Sequence, residues 1–353
     1  MTAWTTLSVP ARQEEAQSLR PLPWRRMAWV TWRQHRVALA GVVVLLGALA
    51  VYLWLAGLQL HHAYLAATTC RPASSLACVN GISDFTSTYN STRQLIPTLL
   101  QVVPALIGAF VGAPVLAREM ETGTFRYAWT QGFGRRRWAL AKLMSLAVVV
   151  AAAAGALSVL FSWYYQPFIA DGLSNPLSAL VFDLRGGIAF AAWTLLAFAI
   201  GALAGMLIRR VVAAIVTTLA AYAGLAFVVG MFLRQHYLTP LVTTNPNVSA
   251  SAMITSQWGT KGGKLAWTGA VPPFNLLPAN CPPPPPPGPP SGPKSAPTRE
   301  AFLQCLPHGY TAWTSYQPVS RFWSFQFIEG GWLLALSLLL LAATVWLVRR
   351  RAV

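Results

Sequence analysis

Few side chains in this sequence are suited to acid–base chemistry. The 353 residues contain nine acidic residues and five histidines. Asp183, close to Arg185, and Glu329 border apolar segments long enough to cross a membrane. Each could be a catalytic group, could line the path or the outer gate for a substrate, or could be a surface ion satisfied by water. The residue types alone leave these three roles open.

Histidine and cysteine residues lie together near residue 65. His61 and His62 precede Cys70 and Cys78, and imidazole and thiolate are the ligands that zinc prefers. Because the spacing fits no standard zinc pattern, we favour a histidine pair at the membrane surface beside a structural disulfide. All four cysteines, Cys70, Cys78, Cys281 and Cys305, fall in segments that the topology below places outside. An oxidising exterior would permit one disulfide within each segment, the alternative being free thiols.

The composition is that of a membrane protein. Apolar residues make up 55% of the chain and charged residues only 10%, far below the charge of soluble domains. The net charge of +17 does not indicate a nucleic-acid-binding protein, because the basic residues punctuate apolar runs instead of forming one solvated patch. Six runs are long enough to span a bilayer: Val37–Leu58, Leu95–Ala117, Leu143–Tyr165, Gly186–Ile208, Val211–Leu233 and Gly330–Val348. The predicted fold is therefore an all-α bundle of six transmembrane helices.

The distribution of Lys and Arg predicts the orientation. If the N-terminus is cytoplasmic, 17 of the 26 basic residues lie on the inner side, as the positive-inside rule requires. Arg209 and Arg210 must then form a tight turn between the fourth and fifth spans. Residues 1–23 do not resemble a cleavable signal peptide. We expect a multi-pass protein of the plasma membrane with both termini in the cytoplasm.

Composition divides the chain into five parts. They are a disordered cytoplasmic tail (1–23), an amphipathic interfacial helix (24–36), spans one to five (37–233) with a polar inner segment (117–142), an extracellular segment (234–326), and the sixth span with a basic end (327–353). The interfacial anchor consists of Trp24, Arg25, Arg26, Trp29, Trp32 and Arg33, which suit the headgroup boundary. The extracellular segment contains a proline-rich insertion (282–290), which predicts a stiff polyproline II spacer.

The polar inner segment between spans two and three has the sequence LAREMETGTFRYAWTQGFGRRRWALAK from Leu116 to Lys142. It combines both signs of charge in a helix-compatible stretch that Gly123 interrupts. Such a surface suits the docking of a soluble protein, because complementary charges define orientation and register.

This segment resembles the type-2 permeases of ATP-binding-cassette exporters, in particular an actinobacterial branch. The family has an acid-rich turn after the second span, then Gly-Thr, then a Thr and a basic cluster before a Lys. The corresponding residues here are Glu119, Glu121, Gly123, Thr124, Thr130, Arg135 to Arg137 and Lys142. The resemblance extends from about Trp24 to the C-terminus and excludes the proline-rich insertion. It implies that Arg118, Glu119, Glu121, Gly123, Thr124 and Arg126 form a coupling helix that docks on an ATPase subunit.

The energy source must be another chain if the resemblance holds. The sequence contains no G-x-x-x-x-G-K-[ST] phosphate-binding loop, so we expect no cofactor here and expect ATP and Mg²⁺ to bind a partner ATPase. The small-xxx-small pattern from Gly201 to Gly205 suits close helix packing and a dimer with a second permease copy or paralogue. The other expected partners are membrane lipids, and we expect no nucleic acid.

The preferred interpretation is a permease subunit that exports a hydrophobic or amphipathic compound. Two alternatives come from other classes. One is a membrane-embedded enzyme that acts on a lipid-linked substrate at the outer face and uses Asp183, Glu329 or a loop histidine. The other is a non-transporting membrane scaffold or sensor, whose function the outer segment would carry.

Overall fold

The computed structural model describes residues 24–70, 75–123, 135–170, 172, 174–245, 248–249, 251–270, 272–273, 276 and 305–351, with side chains described from residue 40 onward except at 135–137 and 351. Of the described residues 73% are helical, which confirms the predicted class. Among these described residues, six helices are long and apolar enough to cross a membrane: Ala40–Thr68, Leu76–Thr122, Trp138–Tyr164, Ile188–Ile208, Val211–His236 and Val319–Arg350. The tail (1–23) and the proline-rich insertion (282–290) lie outside the described residues.

The helices are, in chain order, α1 (Trp24–Thr68), α2 (Leu76–Gln101), α3 (Val103–Ile107), α4 (Ala113–Thr122), α5 (Arg135–Tyr164), α6 (Gln166–Ala170), α7 (Ile188–Ile208), α8 (Val211–Val228) and α9 (Phe322–Arg351). A π-helical segment, Gly108–Gly112, joins α3 to α4, and another, Val229–Leu233, follows α8. A short 3₁₀ turn, Arg234–His236, comes next along the chain.

The first two spans are longer than the sequence predicted. The interfacial helix expected at 24–36 is continuous with the first span in α1, because no proline interrupts the chain between Trp24 and Thr68. Seven residues, 69–75, separate α1 from α2, whereas the sequence analysis left residues 59–94 between the first two spans. Ser75 caps α2 by accepting a hydrogen bond from the Cys78 backbone at 3.3 Å, and a disulfide joins Cys70 to Cys78. The polar first half of α2 therefore extends the second helix beyond its apolar part.

The bundle has two distinct ends. At one end α7 begins, α8 ends and α9 begins, and a small β-sheet lies between α8 and α9 along the chain; we call this the sheet end. At the other end α4 ends, α5 begins and the chain turns from α7 into α8; we call this the basic end. The turn predicted at Arg209 and Arg210 is present. Arg209 adopts a left-handed conformation (φ 60°) and Arg210 is extended, so two residues reverse the chain.

Helix α7 lies at the centre and is buried over most of its length. Its small residues meet those of the π segment before α4: a Cβ at Gly112 would lie 2.6 Å from the Phe198 carbonyl oxygen. Conversely, a Cβ on Gly201 would overlap the Gly108 carbonyl, and one on Gly205 the Ala113 carbonyl. The two helices are thus in backbone contact, which side chains larger than hydrogen would prevent.

Between α6 and α7 the chain forms an irregular cap over the sheet end. Leu177, Val181, Phe182 and Leu184 of this cap are each no more than 1% exposed. Ser158 of α5 donates a hydrogen bond to the Leu184 carbonyl at 2.5 Å. This stretch, which lies between the predicted third and fourth spans, is therefore part of the core.

The segment predicted to be extracellular (234–326) contains a four-stranded antiparallel sheet that the sequence analysis did not predict. The strands are β1 (Leu241–Thr243), β2 (Met253–Lys261), β3 (Lys264–Thr268) and β4 (Tyr310–Gln317), in the order β1-β4-β2-β3. The sheet is attached at its base: Gln317 of β4 donates to the Leu238 carbonyl at 2.6 Å, and Arg321, just after β4, donates to the Thr239 carbonyl at 2.7 Å. Met253 of β2 packs against the core at this end of the bundle. β2 and β4 are rich in β-branched and aromatic residues, which explains their conformation.

Candidate functional site

Three charged side chains meet at the sheet end. Arg234 follows the second π segment and is 3% exposed. Its Nε donates to Oε2 of Glu329 at 3.0 Å, and its Nη2 donates to Oε1 of Glu329 at 2.7 Å. Nη2 also donates to Oδ1 of Asp183 at 2.5 Å. We call Asp183, Arg234 and Glu329 the carboxylate–arginine cluster; it joins the cap, the 3₁₀ turn Arg234–His236 and α9.

Glu329 is more deeply placed than the sequence indicated. The sixth span was predicted to begin at Gly330, but α9 begins at Phe322, so Glu329 lies two turns inside the helix. It is fully buried, and Trp193 of α7 donates its indole N–H to Oε1 at 2.9 Å. The role of an ion satisfied by water therefore does not fit Glu329.

Asp183 differs from Glu329 in its exposure. Its side chain is 19% exposed, and its neighbour in sequence, Arg185, points elsewhere: Arg185 donates to Gln166 at 3.2 Å and lies 5.6 Å from the Phe322 ring. Burial raises the pKa of Asp183 to about 7, although Arg234 opposes the rise, and Glu329 adds to it. One guanidinium thus serves two carboxylates and does not fully stabilise both charges.

Gln326 secures the same region by hydrogen bonds. Its amide N–H₂ donates to the carbonyls of Phe182 at 2.8 Å and Arg185 at 2.9 Å, while its Oε1 accepts from the Ala189 backbone at 3.0 Å. One side chain of α9 therefore satisfies backbone groups of both the cap and the first turn of α7.

A cavity of about 280 Å³ opens beside the cluster. Asp183 and Arg234 lie on one wall, and Gln101 and Pro104 contribute from α2 and α3. Four aromatic residues also line it: Phe190, Trp193, Tyr222 and Phe227. Trp193 and Tyr222 pack edge to face, with ring centroids 5.6 Å apart. We call this space the Asp183 cavity.

The cluster does not resemble the acid–base pair of a hydrolase. Both carboxylates accept hydrogen bonds from Arg234, which favours their ionised forms and restrains their geometry. Within the part of the chain that the structure describes, no three His, Cys, Asp or Glu side chains are grouped to hold a metal ion. The expected histidine–cysteine region is instead engaged in other contacts, since His61 meets the Trp163 carbonyl at 3.0 Å and Cys70 is bonded to Cys78. Cys305 is also disulfide-bonded, and Cys281 lies outside the described residues.

At the basic end, α4 presents part of the predicted coupling segment. Arg118, Glu121 and Thr122 are exposed, and α4 ends at Gly123 in a left-handed conformation (φ 69°), which suits glycine. Thr124 and Arg126 lie outside the described residues. Of the predicted anchor at 24–36, the backbone is described but the side chains are not.

Glu119 is not part of this exposed surface, contrary to the sequence interpretation. It is 9% exposed and forms an ion pair with Lys142 of α5 at 2.6 Å. Trp138 lies 5.3 Å from the Lys142 ammonium. In the sequence, Glu119 lies within one helical turn of Arg118 and Glu121. That spacing does not show whether the partner of Glu119 lies on α5 or on another protein. The pair instead ties the end of the second span to the start of the third.

Glu121 makes the second contact between α4 and a neighbouring span. Its Oε2 accepts a hydrogen bond from the Val211 backbone N–H at 3.2 Å. Val211 is the first residue of α8, whose first N–H groups have no partner within the helix. The exposed end of α4 is therefore bonded directly to the start of the fifth span.

Arg234 is the site residue that sequence reasoning missed. It immediately follows the fifth apolar run and was counted only as a boundary of the outer segment. A usable signal was present, because Asp183, Arg234 and Glu329 all border spans at the side predicted to be outer. Opposite charges at the same membrane depth are expected to pair.

Comparison with known proteins identifies a family for this chain. Neither curated proteins nor solved structures give a match. The family model described as ABC-2 membrane transporter related matches residues 42–234, which is more than half of the chain and includes α2 to α8 with the Glu121 and Arg234 contacts. The chain therefore belongs to the ABC-2 membrane transporter related family.

Proposed function

We propose that this protein is the membrane-spanning permease subunit of an ATP-driven exporter of a hydrophobic or amphipathic compound. The basic end faces the cytoplasm and docks separate ATPase subunits, which bind ATP and Mg²⁺. The permease works as a dimer with a second copy or a paralogue. The family assignment supports a transporter, and the arrangement of α4 is the single observation that carries the rest.

The exposed end of α4 is suited to receiving a force. Arg118, Glu121 and Thr122 lie on its surface, while the Glu119–Lys142 ion pair and the Glu121–Val211 hydrogen bond join it to α5 and α8. A protein that displaces α4 thereby displaces the ends of two other spans. A loop without such bonds to neighbouring helices would move without displacing the other spans.

Motion at α4 is also transmitted to α7. Gly201 and Gly205 hold α7 in backbone contact with the π segment and α4, and packed helices of this kind move as rigid bodies. From α7 the connection continues to α9 through Trp193 and Glu329. We propose that ATP-driven closure of the ATPase pair uses this route to change the packing at the sheet end, as alternating access requires.

The orientation rests on the positive-inside rule. Arg209 and Arg210 lie at the same end as Arg118 and Lys142, so the basic end faces the cytoplasm in this proposal. The disulfide between Cys70 and Cys78 lies at the opposite end, which is consistent with an oxidising exterior.

Affinity purification tests the ATPase partner. The tagged protein is purified from its native membrane in mild detergent, and co-purifying proteins are quantified by mass spectrometry. Wild type is compared with Arg118→Glu, which reverses an exposed charge on α4, and with Lys264→Glu, which makes the equivalent change on exposed β3. We expect a stoichiometric ATPase with wild type and Lys264→Glu that is lost with Arg118→Glu.

The contrary result is equally clear. A chain that purifies without an ATPase under several solubilisation conditions would refute the ATP-driven mechanism. If Arg118→Glu still binds the ATPase, the ATP-driven mechanism is retained, but the proposal that α4 is the docking surface is refuted.

A further inference from the structure

We propose that the Asp183 cavity binds the cationic head of an amphipathic ammonium compound. This inference rests on the proposed function, because it names the chemistry of the compound that the permease would carry. It follows from a charge imbalance, an aromatic lining and the position of the cavity opening.

The carboxylate–arginine cluster has one more acid than base. Arg234 donates to both oxygens of Glu329 and to Asp183, and its guanidinium lies 4.5 Å from the Phe182 ring. The nearest other cation in sequence, Arg185, is directed toward Gln166 and Phe322. When both acids are ionised, the cluster therefore carries an excess negative charge, which is costly in a buried site unless a cation or a proton compensates it.

The excess charge faces the cavity. Glu329 has no exposed surface, and both its oxygens are occupied by Arg234, with Trp193 as a further donor. Asp183 is the acid that lines the cavity and retains an exposed fraction of 19%. A cation in the cavity would thus meet the carboxylate that is less well compensated.

The remaining walls suit an ammonium group rather than a metal ion. Phe190, Trp193, Tyr222 and Phe227 line the cavity, and aromatic rings attract ammonium groups through their negative faces. A hard metal ion would require several oxygen ligands. The lining offers one carboxylate and the Gln101 amide among aromatic and aliphatic side chains, and its one cation, Arg234, is already paired with Glu329 and Asp183. Aromatic residues with a single acid are a composition that recognises quaternary ammonium ligands.

The cavity size and opening define the rest of the ligand. Its volume of about 280 Å³ is below the roughly 300–1,000 Å³ of pockets that enclose a whole drug-sized molecule. Phe227 and Met231 line it and are 60% and 59% exposed, so it opens along the apolar outer face of α8. The head would lie beside Asp183 and the apolar part would follow α8 into the membrane.

Equilibrium binding of a simple probe tests this inference. Radiolabelled benzyltrimethylammonium, which has a quaternary head, one ring and no titratable group, is added to the full chain in dodecyl maltoside. We expect saturable binding that unlabelled benzyltrimethylammonium displaces and the anion benzenesulfonate does not. Absence of saturable binding, or equal displacement by both compounds, would overturn the inference.

Three variants locate the bound probe. Asp183→Asn removes the charge but keeps an acceptor oxygen for Arg234, and we expect about tenfold weaker binding, since loss of one partly desolvated ionic contact is of this order. Tyr222→Leu removes a ring and should also weaken binding, whereas Tyr222→Phe should not. Asp84→Asn neutralises an exposed acid on α2 and should bind like wild type. Unchanged affinity in both Asp183→Asn and Tyr222→Leu would contradict the site.

The pH profile of wild type provides a test without substitutions. Protonation of Asp183, whose pKa burial raises to about 7, removes the charge that attracts the probe. The other titratable and charged groups that face Asp183 are Arg234 and Tyr222 from the fifth span and Glu329 from α9. Affinity should rise between pH 5.5 and 8. A flat profile in wild type would argue against a contact with Asp183.

Two sources of the ammonium group are distinguished by lipid addition. If a choline headgroup occupies the cavity, phosphatidylcholine should displace the probe and phosphatidylglycerol should not. If the natural ligand is a free compound, neither lipid should compete. The binding assay needs no ATPase, so failure here with a co-purifying ATPase would refute the ligand class alone, and binding without an ATPase would refute the proposed energy source alone.

Discussion

The Glu121 carboxylate caps the amino terminus of α8 by accepting a hydrogen bond from the Val211 N–H at 3.2 Å. Carboxylates are favourable at this position because the helix dipole is positive there. The cap is supplied by another helix, α4, whose exposed surface carries Arg118. A local helix-capping interaction is thus also the connection between the proposed docking surface and the fifth span.

Replacing Glu121 by Ala should loosen the first turn of α8. Loss of a helix cap costs about 1 kcal/mol, and the amides near Val211 should exchange hydrogen faster by several-fold. Hydrogen–deuterium exchange of the peptide that begins at Val211 measures this change. Glu121→Gln retains an acceptor oxygen and serves as the control, so equal exchange in the two variants would show that the cap has no effect.

Replacing Arg234 by Ala should be the most destabilising change at the sheet end. It leaves the buried Glu329 and the partly buried Asp183 without their cation, and breaking a buried ion pair in this way costs about 3–5 kcal/mol. Thermal unfolding in detergent, followed by intrinsic fluorescence, measures the loss. The triple variant Arg234→Met, Asp183→Asn, Glu329→Gln removes all three charges and should recover part of it, whereas no recovery would show that the charges are not responsible.

The stability of the protein should depend on pH through Asp183. Its folded-state pKa is raised from 3.8 to about 7, first by burial and then by Glu329 against the effect of Arg234. Between these values the folded protein holds a proton that the unfolded chain has lost, so this group's contribution decreases as pH rises from about 4 to 7. The unfolding midpoint of wild type should therefore fall over this range relative to Asp183→Asn. Parallel pH profiles would exclude Asp183 as the group responsible.

Substituting Gly201 by Ala should separate α7 from the π segment before α4. The added Cβ would overlap the Gly108 carbonyl oxygen, and this backbone atom cannot move away as a side chain would. We expect a loss of about 1–3 kcal/mol, as for other overpacked cores. Gly224→Ala in α8 is the matched control, because a Cβ there meets no atom within 4 Å. Equal unfolding midpoints for the two variants would contradict the close packing.

The sequence predicted the helices well where hydropathy decides the structure. The fourth and fifth spans were placed within a few residues, since long apolar runs leave few other conformations in a bilayer. The predicted start of the second span was wrong because α2 begins with a polar stretch, capped by Ser75, before its apolar part. Hydropathy does not detect a helix of this kind.

The contacts that define the site were less predictable. Asp183, Glu119 and Glu121 were all selected from their types and positions, but their partners Arg234, Lys142 and Val211 lie between 23 and 90 residues away in sequence. Pairing at such separations depends on how helices rotate and pack, which the pattern of one span does not contain. The sheet was missed for a related reason, since the long proline-containing segment separates β4 from the strands β1 and β2 with which it pairs.

Because of the strand order β1-β4-β2-β3, the distance between the end of the fifth span and the start of the sixth does not depend on the residues between β3 and β4. β1 follows the fifth span, β4 precedes the sixth, and the two are hydrogen-bonded neighbours. Residues 269–309 leave from β3 and return to β4, so their length does not alter the distance between the spans. This excursion is consequently the place where evolution, or an experimenter adding a fluorescent protein, can lengthen the chain without disturbing the bundle.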